Sequence, residues 1–287
     1  MEFVELNAYA KINLTLEVLA RRADGYHELR MVMHSIGICD TLRIEKAPRG
    51  EISVECDLPL PESNTAYRAA ELFMAEKGCG GVRIRLEKNV PSEAGLGGGS
   101  ADAAGVLHGM QLLYGGIDES RIYEIGKQVG ADVPFCLHGG SALSCGIGER
   151  LTALEPVQLP LLVVKGDRGV STGALFASLS PKDMHDDERI AQGMTAALSQ
   201  SIDEAAKRLY NALSPAAEAL VPEIAEQRKR LLEAGALGAC MSGSGSAVFG
   251  IFESLEKAKR AEALFSYCAF TSVCTTVPKP VSIIRMG

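Results

Sequence analysis

The chain has 287 residues, of which 47% are hydrophobic, and a formal net charge of −7 at pH 7. This length suits one large or two modest domains, and this composition supplies enough apolar side chains for a core, which excludes a disordered chain. The acidic balance argues against a nucleic-acid partner, because such binding needs a broad basic face.

The start of the sequence and its cysteines predict a cytoplasmic protein. The first residues, MEFVELN, lack the basic and then apolar stretches of a secretory signal. No apolar run approaches the roughly 18 residues of a membrane span. Eight cysteines are scattered singly without a C-x-x-C pair, which is typical of buried thiols in a reducing compartment rather than of disulfides or zinc ligands.

A long strand and a hairpin are predicted at the start of the chain. Apolar and polar residues alternate over residues 4–20, which indicates a strand with one polar face. Asp24-Gly25 predicts a tight turn into a second strand. From the pattern alone, Lys11 and Asn13 belong to a solvated strand face.

Further elements are predicted up to the middle of the chain. Strands are predicted over 31–38, 41–47 and 50–56, and prolines at 59 and 61 break the pattern. A helix that Ser63 or Asn64 caps then runs to about residue 77.

The most informative stretch is residues 91–104, which read PSEAGLGGGSADAA. A strand of period two precedes it over residues 82–87, and helical spacing follows it, with Ser100 as the predicted N-cap and Asp102 in the first turn. A glycine loop between a strand and a helix start directs several backbone N–H groups and a positive helix end at one spot. The pattern therefore predicts an anion site, with phosphate as the expected ligand.

Familiar phosphate loops do not fit this stretch. A Walker A loop needs a lysine before Ser100, and none is present. A dinucleotide fingerprint needs a glycine at the sixth position, where the two possible frames place Ser100 and Asp102. A glycine-rich surface turn is the alternative, although a helix that follows directly favours a phosphate loop.

The remaining elements are a mixture of helices and strands. An aspartate precedes the proline of GADVPF (130–135), where it could brace a turn or serve a site. Residues 240–252 place a GSGS loop before an apolar strand. The predicted elements from residue 118 onward are a helix over 118–129, a hairpin over 141–154, a strand over 161–165, a surface helix or loop over 181–200, helices over 203–220, 222–234 and 253–266, and two short final strands.

Three of these segments resemble the motifs of the GHMP kinases, in family order: AYAKINL (8–14), PSEAGLGGGSADAA (91–104) and MSGSGSAVFG (241–250). Within that superfamily, DGYH (24–27) and GADVPF resemble the kinases of 4-diphosphocytidyl-2-C-methyl-D-erythritol. The resemblance implies an α+β fold of two domains, with a ribosomal protein S5 domain 2-like N-terminal domain over residues 1–154, an α/β C-terminal domain over 155–287, and an active site in the cleft between them.

The same resemblance implies an activity and its ligands. It implies that the 2-hydroxyl of 4-diphosphocytidyl-2-C-methyl-D-erythritol receives a phosphoryl group from ATP with Mg²⁺, in the non-mevalonate isoprenoid pathway. A monomer or homodimer without nucleic-acid or membrane partners is expected. The alternatives are another GHMP kinase, acting on mevalonate, homoserine or a sugar, and a nucleotide-binding regulator without catalysis.

The site residues follow from the matched motifs. Asp132 is implied to be the catalytic base and Lys11 its cationic neighbour. The implied ATP-binding residues are Pro91, Ser92, Glu93, Ala94, Gly95, Leu96, Gly97, Gly98, Gly99, Ser100 and Ala101, with Asn64 near the adenine and Ser100 as the Mg²⁺ ligand. The implied acceptor-binding residues are Asn13, Tyr26, His27, Ile147, Thr172, Phe176 and Gly243, with Tyr26 and Phe176 stacking on the cytosine and His27 hydrogen-bonding it.

Overall fold

The computed structural model describes residues 1–58 and 64–287. Ser63, Pro59 and Pro61 therefore lie outside the described residues, and the N-cap of the first helix is Asn64. The strands are β1 (Phe3–Arg21), β2 (His27–Ala47), β3 (Ile52–Cys56), β4 (Gly81–Glu87), β5 (Ser141–Gly146), β6 (Arg150–Leu154), β7 (Pro160–Lys165), β8 (Tyr210–Asn211), β9 (Gly238–Met241), β10 (Val248–Ile251), β11 (Phe270–Thr275) and β12 (Val281–Met286). The helices are α1 (Thr65–Lys77), α2 (Gly98–Tyr114), α3 (Glu119–Val129), α4 (Val133–His138), α5 (Thr172–Ser178), α6 (Glu188–Leu198), α7 (Ile202–Ala206), α8 (Ser214–Leu220), α9 (Glu223–Glu233) and α10 (Leu255–Glu262).

The first sheet has the order β12-β1-β2-β4-β3, and the hairpin of β5 and β6 extends it from β2. The predicted turn at Asp24-Gly25 is confirmed, because β1 and β2 pair antiparallel across it. The separate strands predicted over 31–38 and 41–47 are wrong, since β2 runs through both. Asp40 lies inside β2, and its carboxylate accepts the backbone N–H groups of Asn89 and Val90 inside the protein.

Helix α2 lies close against this sheet, and that approach fixes the position of its N-terminus. A Cβ at Gly109 would lie 2.2 Å from Ile44 Cδ1, and one at Gly105 would lie 3.0 Å from Leu42 Cδ2. Both glycines therefore face the sheet without room for a side chain. The buried face of the helix adds Val106, Leu107 and Met110 to the core.

The second sheet has the order β11-β7-β10-β9, and its neighbouring strands are antiparallel. Its central strands are apolar and buried, from Leu161 to Val164 and from Val248 to Ile251. The single helix predicted over 203–220 is wrong, because α7 and α8 are separated by β8, which pairs in parallel with β1 of the first sheet.

The two sheets are connected by residues 155–159 and by two strands that return to β1. The N–H of Val157 donates to Nε2 of His34, and that of Leu159 donates to Oγ1 of Thr276. The predicted boundary after residue 154 falls between β6 and β7 and stays a prediction, while β8 and β12 contribute to the first sheet. In the part of the chain that the structure describes, no helix has the length and apolarity needed to cross a membrane.

Candidate active site

A glycine loop connects β4 to α2 and presents its backbone to one side. Gly95 and Gly97 both have φ of +71°, a conformation that glycine adopts without the strain of a side chain. Helix α2 begins at Gly98, and no side chain caps its first turn. The unpaired N–H groups of that turn and the positive helix end can hold an anion, and the binding of phosphate there stays a prediction.

The helix starts earlier than the sequence predicted. The prediction that Ser100 is the N-cap and that Asp102 lies in the first turn is wrong, because Gly97 is the N-cap and Ser100 is already inside the helix. The left-handed backbone of Gly97 turns the chain directly into the helix without a capping side chain. Ser100 consequently lines the cavity above the loop, whereas Asp102 is buried and paired with Lys88.

A second glycine loop, residues 242–245, packs directly on the first one. Ser242 Oγ donates to the carbonyl of Gly95 over 2.9 Å. A Cβ at Gly95 would lie 2.0 Å from the carbonyl oxygen of Ser242, and a Cβ at Gly243 would lie 2.8 Å from that of Gly95. The two loops touch through their backbones, so a side chain at either glycine would separate them.

Asn211 holds this second loop in place. Its Nδ2 donates to the carbonyls of Met241 and Gly243, over 2.9 and 2.8 Å. Its Oδ1 accepts the N–H of Leu213. The sequence pattern placed residue 211 inside a helix, so the sequence did not predict that Asn211 holds this loop.

Lys11 and Asp132 form an ion pair at the centre of the site. Lys11 Nζ lies 3.2 Å from Asp132 Oδ2 and donates to Asn13 Oδ1 over 2.9 Å. Lys11 and Asn13 are buried, which differs from the solvated strand face that the pattern alone suggested. The aliphatic stem of Lys11 lies against Gly97, where a Cβ would be 3.0 Å from Lys11 Cγ and Cε. The lysine therefore connects the glycine loop to the carboxylate.

The other end of the site is apolar and includes an aromatic pair. The rings of His27 and Phe176 lie with centroids 5.2 Å apart and planes tilted by 31°. Burial, and then the charge of Arg21, lowers the pKa of His27, which favours a neutral imidazole with one donor and one acceptor nitrogen. Tyr26 lies at the hairpin tip and is 59% exposed. The side chains of Leu16, Leu29, Met31 and Ile147 line this end of the cavity.

Thr172 connects α5 to the second glycine loop. Its Oγ1 lies 2.7 Å from Ser244 Oγ, so the helix that carries Phe176 is attached to the second glycine loop. The hydrogen bond between Thr172 and Ser244 thus connects the helix of the aromatic pair to the glycine loops.

One cavity of about 460 Å³ contains most of the predicted residues. Its lining includes these predicted residues: Lys11, Asn13, Pro91, Ser92, Glu93, Ala94, Gly95, Leu96, Gly97, Gly98, Gly99, Ser100, Asp132, Ile147, Thr172, Phe176 and Gly243. Four predicted residues do not line it: Tyr26, His27, Asn64 and Ala101. Sequence reasoning missed these lining residues: Leu16, Leu29, Met31, Lys88, Val90, Ala131, Leu213, Ser244 and Gly245.

Asn64 serves as a helix cap in the structure. Its Oδ1 accepts the N–H groups of Ala66 and Tyr67. The next residue, Thr65, donates through its hydroxyl to the carbonyl of Gly99, so the start of α1 adjoins the glycine loop. A contact between Asn64 and adenine stays a prediction.

Comparison with known families supports the resemblance found in the sequence. The model of the GHMP kinases N terminal domain matches residues 64–140, and that of the GHMP kinases C terminal domain matches residues 193–266. Together these matches cover more than half of the chain and include the glycine loop and Asp132. The chain belongs to the GHMP kinases.

Individual relatives of this GHMP kinase cover nearly its whole length. It is 44% identical over 264 residues to the 4-diphosphocytidyl-2-C-methyl-D-erythritol kinase of Acetivibrio thermocellus, covering 90% of this chain and 93% of that protein. It is 45% identical over 265 residues to the protein of the same name in Pelotomaculum thermopropionicum, covering 90% and 92%. The crystal structure of a 4-(cytidine 5'-diphospho)-2C-methyl-D-erythritol kinase superimposes with a TM-score of 0.83 at 38% identity, covering 95% of this chain and 98% of that one. The two-domain GHMP kinase fold expected from the sequence is confirmed.

Proposed function

We propose that this GHMP kinase transfers the γ-phosphoryl group of ATP to the 2-hydroxyl of 4-diphosphocytidyl-2-C-methyl-D-erythritol. Its relatives of that name are 44–45% identical over about nine tenths of the chain. The observation that carries the proposal is the Lys11–Asp132 pair, which stands between a phosphate-binding loop and an apolar recess with an aromatic pair. A non-catalytic regulator has no need of this pair.

Asp132 accepts the proton of the acceptor hydroxyl, and Lys11 stabilises the negative charge that develops during transfer. Lys11 is 4% exposed, whereas the side chain of Asp132 is 30% exposed, so the carboxylate is the member of the pair that a bound hydroxyl reaches. Phosphoryl transfer passes through a loose transition state, so positioning and charge contribute more than strong proton abstraction.

The two glycine loops hold ATP through backbone N–H groups, and the structure is suited to a nucleotide-bound Mg²⁺. The described residues contain no cluster of three or more His, Cys, Asp or Glu that would form a metal site of their own. Mg²⁺ in kinases is held largely by phosphate oxygens and waters, with one or two protein oxygens. Ser100 and Asp132 both line the cavity and can supply these oxygens. When bound, the ion neutralises phosphate charge.

Cytosine occupies the apolar end, where Phe176 and Tyr26 stack on the ring and His27 hydrogen-bonds its edge. The neutral imidazole of His27 can donate a hydrogen bond to the edge of a base and accept one from it. Such hydrogen bonds can distinguish cytosine from other bases, whereas stacking alone does not. The cytoplasm remains the predicted compartment, and a monomer or homodimer the predicted assembly.

The test is ADP release with purified protein and a panel of acceptors. We expect release with ATP and 4-diphosphocytidyl-2-C-methyl-D-erythritol, and product analysis should place the new phosphate on the 2-hydroxyl. Mevalonate, homoserine and galactose serve as alternative acceptors and should give background rates. Turnover of one of these three, without turnover of the diphosphocytidyl alcohol, would assign the chain to a different kinase activity.

A further inference from the structure

Arg30 and Glu17 form a buried ion pair behind the apolar end of the active-site cavity. The two residues are cross-strand neighbours in β2 and β1. Arg30 donates through Nε and Nη2 to the two carboxylate oxygens of Glu17, over 3.0 and 2.8 Å. The side chains of Arg30 and Glu17 are 11% and 1% exposed. A buried ion pair adds little to stability on balance, because lost hydration offsets the attraction, so this pair calls for another role.

The pair lies on the opposite face of the strands that line the apolar end. Successive side chains of a strand point to opposite faces of the sheet. In β2, Leu29 and Met31 flank Arg30 and line the active-site cavity. In β1, Leu16 precedes Glu17 and lines the same cavity. Arg30 itself lines a separate cavity between β5 and α6. The ion pair is therefore the back of the wall that shapes the apolar end.

The segment that follows α5, residues 179–187, is attached to this pair. The N–H of His185 donates to the Val18 carbonyl of β1 over 2.9 Å. One residue further on, Asp186 Oδ1 accepts a hydrogen bond from Arg30 Nη2 over 2.8 Å. The same nitrogen donates to Glu17, so one guanidinium joins the two strands to the segment. Asp186 is thus a point at which the chain after α5 is held to the sheet.

Helix α5, which carries Phe176, is held on both sides. At its start, Thr172 contacts Ser244 of the second glycine loop. After its end, Leu179 and Met184 are half-buried against the core, and the Asp186 contact follows. The side chain of Asp186 is 65% exposed, and exposed ion pairs contribute little to overall stability. The contact with Arg30 is therefore better suited to fix the position of α5 than to stabilise the fold.

We propose that Arg30 is a positioning residue for the acceptor, which acts through Asp186 to hold α5 and its Phe176 at the place where the cytosine stacks. Arg30 does not line the active-site cavity, so it acts only through its partners. A guanidinium bonds two carboxylates at fixed angles, whereas an ammonium is a point charge. Glu17 fixes the guanidinium, and Asp186 transmits its position to the segment after α5. This inference deepens the proposed function and depends on it.

Steady-state kinetics of Asp186→Ala test the inference. The substitution removes an exposed carboxylate and leaves the Glu17–Arg30 pair in place, so the variant should fold as the wild type does. We expect the KM for 4-diphosphocytidyl-2-C-methyl-D-erythritol to rise about three- to tenfold, as for the loss of one partly exposed, charge-assisted hydrogen bond. The kcat, the KM for ATP and the melting temperature should stay nearly unchanged.

Glu188→Ala is the matched control. The side chain of Glu188 is 72% exposed and also approaches Arg30, but its Oε1 lies 4.0 Å from Nη1, beyond hydrogen-bond distance. This variant should retain the wild-type KM for the acceptor. Asp186→Asn keeps an oxygen that can accept from Arg30 Nη2, so it should lose less than Asp186→Ala. This graded loss is expected of a positioning contact and not of a general effect of surface charge.

Arg30→Lys tests the route from Asp186 to the sheet. The ammonium can pair with Glu17 but does not reproduce the fork that holds both carboxylates. In an Arg30→Lys background, Asp186→Ala should therefore cause little further rise in the KM for the acceptor. Because Arg30 is buried, a lysine variant that fails to fold leaves the comparison of Asp186→Ala with Glu188→Ala as the test.

The outcomes distinguish this inference from the proposed function. A wild-type protein without turnover of the diphosphocytidyl alcohol contradicts the proposed function itself. Wild-type turnover with an unchanged acceptor KM in Asp186→Ala overturns the role of Arg30 while the kinase proposal stands. An equal rise in the KM values for both substrates, or a full further loss in the Arg30→Lys background, overturns it too. A rise for the acceptor alone that is absent in Glu188→Ala supports it.

Discussion

Lys11 Nζ lies 3.2 Å from Asp132 Oδ2, and this distance joins two parts of the chain that are far apart in sequence. Lys11 is in the middle of β1, whereas Asp132 is the N-cap of α4 and makes no capping hydrogen bond with its side chain. A carboxylate at a helix start that does not cap the helix is available for another partner. Here that partner is the lysine.

Replacing Asp132 by Asn should reduce kcat by about two to four orders of magnitude, the usual effect of removing a positioned base. The amide keeps the size of the side chain but has neither the charge nor the basicity. Affinity for ATP should change little, because we propose that the glycine loops carry that interaction. Steady-state kinetics and nucleotide titration of the variant measure both quantities.

The matched control for this substitution is Asp118→Asn. Asp118 is also the N-cap of a helix without a capping bond from its side chain, but it is exposed and outside the cavity. Lys11→Met should lose about as much activity as Asp132→Asn, and the double variant little more, since the two residues act as a unit. If Asp132→Asn lowers the melting temperature but leaves kcat unchanged, Asp132 only braces the turn before Pro134.

Gly97→Ala should damage both ATP binding and catalysis. The φ of +71° strains any side chain, and a Cβ would press on the stem of Lys11 at 3.0 Å. We expect the KM for ATP to rise at least tenfold, which corresponds to about 1.4 kcal/mol or more, together with a lower kcat. Kinetics at several ATP concentrations test this.

Gly173→Ala provides the comparison, because a Cβ at Gly173 meets no atom within 4 Å. It should behave as the wild type. Wild-type kinetics in a folded Gly97→Ala protein would show that the loop does not set the position of Lys11.

Phe176→Ala should weaken the diphosphocytidyl acceptor and leave the KM for ATP nearly unchanged. The ring packs against His27 where we propose that the acceptor binds, and a base–aromatic stack contributes about 1–3 kcal/mol. Tyr26→Ala should show the same selectivity for the acceptor, although Tyr26 is exposed in this structure. Equal losses for both substrates would place these rings outside the acceptor site.

Because His34 is buried, we expect the folded protein to lose stability in acid. Burial lowers its pKa from 6.5 to about 4, and its Nε2 accepts the N–H of Val157 between the two sheets. A base whose pKa is lowered by folding stabilises the folded state at pH values above the pKa that it has in the unfolded chain. This stabilisation is lost as the pH falls from about 6.5 toward 4. The shift corresponds to a contribution on the order of 3 kcal/mol.

Urea unfolding at pH 7 and pH 5 measures this effect. The free energy of unfolding should decrease more in the wild type than in His34→Gln, whose neutral side chain has no proton to gain. An equal decrease in both proteins would mean that other groups govern stability in acid.

The sequence predicted the glycine loop and the first hairpin because each rests on local chemistry, whereas the pairing of Lys11 with Asp132 followed from the resemblance to the GHMP kinases and not from a local pattern. Asp24-Gly25 specifies a turn by itself, and the AGLGGGS segment requires backbone conformations that favour glycine. The helix start at Gly98 was misplaced because Gly97 ends the loop through its φ, whereas a serine suggests a cap wherever it occurs near a helix start.

Features that depend on distant contacts were missed. Asn211 lies in a segment with helical spacing, but the chain is extended there because β8 pairs with β1, and the side chain then reaches the carbonyls of Met241 and Gly243. Asp40 gives no sign in the sequence that Lys88 and Asp102 will meet it, since the three come from a strand, a loop and a helix. Burial of charge is a property of the assembled sheet and helix, and no local pattern records it.

The pairing of β12 with β1 affects how this protein is made. Residues 281–286 supply the outer neighbour of β1, the strand that carries Lys11, from Val4 to Ala8. β12 is the last strand that the structure describes, so during synthesis this neighbour emerges from the ribosome after all the other described strands. Until then this edge of β1 has no neighbour and is open to pairing with other nascent chains, so the interval before residues 281–286 are made is a stage at which the growing polypeptide is exposed to aggregation.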